Sequence, residues 1–179
     1  MKPTQAERFH DLLKNFDTAV LLTHGEGTHY RARPMAVACV DDNCDLWFIT
    51  GEDSAKVHEI ERDTRVQVIC QDGRASCVSI AGRASLIQDR AKIRQLWKPS
   101  YRVWFPQGPE DPTIVLIHVA GEQGEYWDNT GANGLLYMYR AIKAMMTHTT
   151  PEVTEGKQHG HVTLDQPAGN TESALERSG

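Results

Sequence analysis

The stretch Leu46-Trp47-Phe48-Ile49-Thr50-Gly51-Glu52-Asp53-Ser54-Ala55-Lys56-Val57-His58-Glu59-Ile60 carries three signals in succession. An aromatic and β-branched run ends in a hydroxyl residue, Thr50. Gly51-Glu52-Asp53 breaks it, and Ser54 opens a helix with Val57 and Ile60 on one face. Backbone amides in the first turn of a helix lack intrahelical acceptors and carry the positive end of the dipole, so such a turn attracts a phosphate. Ser54 can add a hydroxyl donor and Lys56 a full positive charge. An arginine from a neighbouring strand would complete the site, and Arg31 or Arg33 could supply it. The same spacing also suits an ordinary helix cap at Ser54 with Lys56 in solvent. Glu52 and Asp53 oppose an anion unless they point away.

Upstream, Thr4-Gln5-Ala6-Glu7 has the spacing of a capping box, and Phe9, Leu12, Leu13 and Phe16 follow at helical intervals. Thr18 to His24 reads as a strand, and His29 to Val40 as a longer one containing Arg31, Arg33, Pro34 and Met35. Asp41-Asp42-Asn43 reads as the hairpin turn into Leu46–Thr50. Downstream, strands are expected over Val66–Cys70 and Ser76–Ile87, joined by a turn at Asp72-Gly73. A helix capped by Asp89 runs through Trp97, and an aromatic, proline-containing loop covers Pro99–Pro112. The last strands are expected at Ile114–Val119 and Glu125–Trp127, and a C-terminal helix over Asn133–Thr147. The helices fall at the start, middle and end of the chain and not between successive strands. This predicts a mainly β, α+β fold: six or seven antiparallel strands in a barrel with peripheral helices. Residues 1–150 form the domain. From 151 to 179 the chain is too poor in apolar residues to offset ordering entropy, and a disordered polar tail is expected. No metal site is expected: His159-Gly160-His161 could chelate a metal weakly, but it reads first as part of that solvated tail.

The 179 residues suit a single domain. A hydrophobic fraction of 40% and a charged fraction of 24% are ordinary for a globular protein. A net charge of −5 argues against nonspecific nucleic-acid binding. No apolar run is long enough for a membrane span, and the N-terminal residues lack the apolar core of a signal peptide, so a cytoplasmic location is the simplest reading. Cys39, Cys44, Cys70 and Cys77 lack zinc-knuckle or dithiol spacing and sit in or beside apolar runs, as buried structural thiols do.

Five pieces in order resemble the general stress protein 26 family, within the pyridoxamine 5′-phosphate oxidase-like, FMN-binding split barrels. They are Arg31-Ala32-Arg33-Pro34-Met35; Phe48-Ile49-Thr50 through Ser54-Ala55-Lys56-Val57-His58-Glu59-Ile60; Asp89-Arg90-Ala91-Lys92-Ile93 through Trp97; Trp104-Phe105-Pro106-Gln107-Gly108; and Glu125-Tyr126-Trp127-Asp128. The resemblance covers roughly residues 5 to 147 and implies a split β-barrel. By position it implies that Thr50, Ser54 and Lys56 hold the phosphate of FMN, with FAD the alternative. Arg33, or else Arg31, joins them, and Ile49 belongs to the same cofactor-binding set. Pro34 and Met35 would run along the isoalloxazine edge, with Trp104 and Phe105 lining the cleft. Trp127 would come from the second subunit of a homodimer that shares its flavin sites.

Two departures bear on activity. The position before the phosphate lysine is Ala55 where pyridoxamine phosphate oxidases carry arginine, and no Arg-x-His cluster follows Trp127. Vitamin B6 oxidation is therefore disfavoured, because a second phosphate ester needs such charge. No acid, base or nucleophile is fixed by spacing. His24, His29 and His58 could serve, but each suits a structural or exposed role, and a haem would need His118 or His29 as an axial group. The remaining readings are a flavin-dependent oxidoreductase of a small molecule, or a stress protein that sequesters or senses flavin without turnover.

Overall fold

The computed structural model describes residues 3–71, 76–128, 140, 143 and 159–164. Helix α1 (Gln5–Leu13) is followed by β1 (Thr18–His24), β2 (Tyr30–Ala36), β3 (Cys39–Val40) and β4 (Leu46–Gly51). Then come α2 (Ala55–Arg62), β5 (Arg65–Gln71), β6 (Ser76–Ile87), α3 (Arg90–Leu96), two short 3-10 turns, β7 (Ile114–Asp128) and β8 (His159–Thr163). All pairings are antiparallel. The strand path is β2-β1-β5-β6-β7-β4-β3, and β8 pairs with β7 beside it. The described residues thus hold the predicted split-barrel sheet of seven strands plus one more.

Period-2 alternation places each side chain. On β1, Ala19, Leu21 and Thr23 turn inward; on β4, Leu46, Phe48 and Thr50 do so. The apolar ones meet Val68, Ile80, Val119 and Tyr126 in the main core, which Phe9 and Leu13 of α1 also enter. The capping box that starts α1 is formed: Glu7 N donates to Thr4 Oγ1 at 3.1 Å and Thr4 N to Glu7 Oε2 at 2.7 Å. On the other face, Trp47 and Ile49 pack with Ile93 and Leu96 of α3 in a second cluster that includes Phe105. All four cysteines are free, and burial pushes the thiols of Cys44 and Cys70 up to about 11 and about 12. They are inert fillers at neutral pH.

Three expectations need correction. The run from His29 to Val40 is not one strand: it breaks at Val37 and Ala38, whose amides bond Asp17 O and Trp47 O, so the chain leaves β1 for β4. Ile114–Val119 and Glu125–Trp127 are not separate strands but the two halves of β7. The glycine-containing run between them stays paired to β6 and carries a bulge: Ala81 opposes Gln123 while Gly82 opposes Gly121, leaving Glu122 as the extra residue. Finally, part of the expected tail is sheet. β7 pairs with β4 only from Ile114 to Val119, so its edge is vacant further along, and β8 takes that edge from Gln123 to Trp127. Backbone hydrogen bonds to β7 order this segment, and Val162 and Leu164 are buried in the main core. The turn at Asp72-Gly73 and nearly all of the helix expected over Asn133–Thr147 lie outside the described residues.

Gly82 makes the bulge feasible. A Cβ there would lie 2.1 Å from the carbonyl oxygen of Ala120, a backbone atom held in the ladder. Gly82→Ala is expected to cost about 2–3 kcal/mol, measurable as a fall of roughly 4–12 °C in Tm for a chain of this size.

Candidate functional site

Thr50 is the penultimate residue of β4 and Ser54 is the N-cap residue of α2, with Gly51–Asp53 between them. Ser54 N donates to Gly51 O at 3.1 Å, which closes the turn and brings the two hydroxyls together. Thr50 Oγ1 lies 3.3 Å from Ser54 Oγ, and Lys56 Nζ donates to Thr50 Oγ1 at 2.8 Å. The segment departs from an ordinary cap with a solvated lysine in two respects. Ser54 makes no side-chain capping bond, so the first turn of α2 keeps its donors uncapped by that hydroxyl. Lys56 is turned in toward Thr50, and burial lowers the pKa of its ammonium, helped by the charge of Arg33 and opposed by Glu59.

The arginines reach the same corner from β2. Residues 31 and 33 share one face of the strand, and Glu59 of α2 receives both. Arg33 NH2 donates to Glu59 Oε2 at 2.8 Å, Arg31 NH1 lies 3.3 Å from Oε1, and Arg33 NH1 donates to Thr23 Oγ1 at 3.1 Å. Thr23 Oγ1 in turn donates to Glu59 Oε2 at 2.5 Å. Glu59 is only 2% exposed. Burial pushes its carboxyl up, but the hydrogen bonds from Thr23 and Arg33 and the arginine charges outweigh that and hold it below the ordinary value. An open groove of about 430 Å³ adjoins this network, lined by Glu26, Arg31, Ala55, His58, Glu59, Glu61 and Arg62. Its mixed charge and the absence of Thr50 and Lys56 from its lining separate it from the hydroxyl–ammonium cluster.

The cluster is thus Thr50, Ser54 and Lys56, with Arg33 and Arg31 beside it. The other expected residues are placed as follows. Ile49 is next to Thr50 but points to the opposite face, into the cluster under α3. Met35 packs at the edge of the main core, and Pro34, across from Val20, is exposed. Phe105 packs in the cluster under α3, on the face of β4 opposite Thr50, with its Cε1 3.9 Å from where a Cβ on Gly51 would sit. Trp104 is 78% exposed. Trp127 is far away in the same chain: Val115 opposes Thr50, and Trp127 lies twelve residues further along β7, roughly 40 Å of strand contour at about 3.3 Å per residue. Among the histidines, His118 is held by Asp45 at 2.9 Å and packs on Trp47, His24 packs on Tyr30, and His58 faces Glu61.

Sequence reasoning passed over Glu59 and Thr23, although both left a signal. Thr23 follows Ala19 and Leu21 on the inward face of β1, where a hydroxyl needs a partner, and Glu59 lies between Val57 and Ile60 on a short helix. Residues suited to a phosphate are present: two hydroxyls, a half-desolvated ammonium, a fixed guanidinium and an uncapped first helical turn.

Known proteins resemble this chain in sequence and fold. The sequence pattern of the pyridoxamine 5′-phosphate oxidase-like family matches residues 4–152. A crystal structure from Jannaschia sp. CCS1, described as a candidate general stress protein 26, superposes with a TM-score of 0.67 at 25% identity, covering 87% of this chain and 95% of that one. A general stress FMN/FAD binding protein from Xanthomonas citri superposes with a TM-score of 0.60 at 27% identity, covering 72% and 91%. Protein bli-3 of Neurospora crassa is 28% identical over 112 residues, 56% of this chain, and the match spans about half (54%) of that protein's length.

Glu59 supports stability only while ionised. Its folded pKa is lowered, so this stabilisation is fully present above the ordinary value of 4.5 and is lost as pH falls through the folded value. Glu59→Gln is expected to cost about 2–3 kcal/mol at pH 7. Urea unfolding at pH 7 and pH 3.5 should show the gap from wild type narrowing at the lower pH.

Proposed function

The chain belongs to the pyridoxamine 5′-phosphate oxidase-like family, and on that premise we propose that it binds a flavin nucleotide, FMN or alternatively FAD. We propose further that it acts as an oxidoreductase on a small molecule. The observation that carries the binding proposal is the convergence of Lys56 Nζ and Ser54 Oγ on Thr50 Oγ1 at the first turn of α2. A superposed relative described as an FMN/FAD binding protein supports the same reading. The flavin ring would supply the electron-carrying chemistry.

The protein's own residues bind and orient. Lys56 would exchange its hydroxyl partner for a phosphate oxygen, relieving the cost of a half-buried cation. Thr50 and Ser54 would add neutral donors. Arg33, held by Thr23 and Glu59, would present its charge with little loss of side-chain freedom. Ala55 adds no charge for a second phosphate ester, so pyridoxamine phosphate is not the proposed substrate. Reduction of the bound flavin by NADH, NADPH or a reduced deazaflavin at about one per second or faster is the expected behaviour. A tightly held flavin that none of them reduces would instead point to sequestration or sensing.

We also propose a two-fold homodimer, with Trp127 reaching the partner's flavin. Trp127 is too far along β7 to serve its own Thr50–Lys56 cluster, and Val103, Trp104 and Trp127 are 80%, 78% and 37% exposed. No helix among the described residues is long and apolar enough to cross a membrane, and a cytoplasmic location is proposed with the rest.

Lys56→Met is expected to weaken FMN by about 1.5–3 kcal/mol and riboflavin far less, because only the charged phosphate contact is lost. The flavin-free protein should not lose stability, since a desolvated cation has gone. Fluorescence titration and thermal unfolding read the two effects, and equal losses for both ligands would remove Lys56 from the phosphate. Light scattering of the flavin-loaded protein should give twice the chain mass; a monomer with full flavin content would refute the shared site.

A further inference from the structure

Glu125 on β7 and His159 and His161 on β8 lie outside the Thr50–Ser54–Lys56 cluster and face one another across a strand pair. Glu125 stands directly opposite His161, and Trp127 opposite His159. Positions two apart share a face, so all four side chains emerge on the same side of the sheet. His159 Nε2 lies 3.3 Å from Glu125 Oε1, and His161 Nε2 lies 3.2 Å from the same oxygen. The three potential ligand atoms fall within 4.8 Å of one another. A tetrahedral zinc ion, with bonds of about 2.0–2.1 Å, has ligand–ligand edges of roughly 3.3–3.4 Å. Both carboxylate–imidazole edges already have close to that length.

We propose that His159, His161 and Glu125 form a binding site for one divalent transition-metal ion of the zinc type, with a further position open to water. Two imidazoles and a carboxylate suit zinc and its neighbours, not magnesium or calcium. With both Nε2 atoms unprotonated, two ring lone pairs and a carboxylate converge on one point, the arrangement a cation requires. The Trp127 ring stacks on His159 at 5.0 Å and 27°, fixing the plane of that imidazole. The side chains of His159, Glu125 and His161 are 25%, 35% and 65% exposed, so an ion can enter and keep a solvent ligand. Gly160 is what lets the two histidines straddle the strand this close to β7. A Cβ there would come within 2.6 Å of Tyr126 Cε1, on a fully buried ring.

The test uses the full-length chain without a purification tag, stripped with a chelator, and titrated with Zn²⁺ by calorimetry and with Co²⁺ by visible absorption. One ion per chain is expected, with Kd about 10 µM or tighter and the intense Co²⁺ bands of a four- or five-coordinate ion. His161→Ala and Glu125→Gln should each weaken Zn²⁺ roughly tenfold or more, with circular dichroism unchanged; the near-isosteric Glu125→Gln carries the test if His161→Ala does not fold. Absence of stoichiometric binding, or wild-type affinity in the folded variants, overturns the site. Flavin content, measured on the same samples, reports separately on the proposal above.

Discussion

A buried carboxylate governs one end of this barrel. Glu59 accepts from Thr23 of β1 and Arg33 of β2 and pairs with Arg31, so one side chain of α2 joins the helix to two strands. Taking a carboxylate out of water is costly unless its oxygens are satisfied, and here the donors are the residues that also give the site its charge. The basic corner therefore contains its own counterion. Arg33 keeps its orientation before any ligand arrives, because one guanidinium nitrogen is bound to Glu59 and the other to Thr23.

Lys56 stands in contrast. Its ammonium is half-buried, lies in the field of Arg33 and has a neutral hydroxyl as its partner. At this corner Arg33 is paired with Glu59, whereas Lys56 is less fully compensated and is the cation that the proposed phosphate would satisfy. That pattern is common where a site is built at some expense to the fold. The sheet fixes the rest of the geometry: β4 delivers Thr50, β2 delivers the arginines, and the turn after Gly51 sets the helix that supplies Ser54 and Lys56.

Local signals in the sequence were reliable wherever local chemistry decides structure. The inward face of β1, the Thr4–Glu7 capping box, the Asp89 cap and the strand–turn–helix at Leu46–Ile60 all follow from nearest neighbours and period. The Thr50, Ser54 and Lys56 trio was legible for the same reason. Partnerships made at a distance were not. Glu59 lies 36 residues from Thr23 and 26 from Arg33, and nothing in either segment alone announces the pairing. Gly121–Gly124 has the composition of a turn, but the facing run of β6 keeps it in the sheet. Ile49 and Thr50 are neighbours in sequence, yet the pleat sends them to opposite faces of the sheet, Ile49 into the cluster under α3.

The placement of β8 bears on how the chain can be shortened. β4 covers only the first half of the free edge of β7, and β8 closes the second half, from Gln123 to Trp127. A form truncated before His159 would leave those backbone donors and acceptors open beside an exposed tryptophan. Such an edge invites pairing with another molecule. The polar segment that looks dispensable by composition covers an edge of β7 that would otherwise be open to unspecific strand pairing.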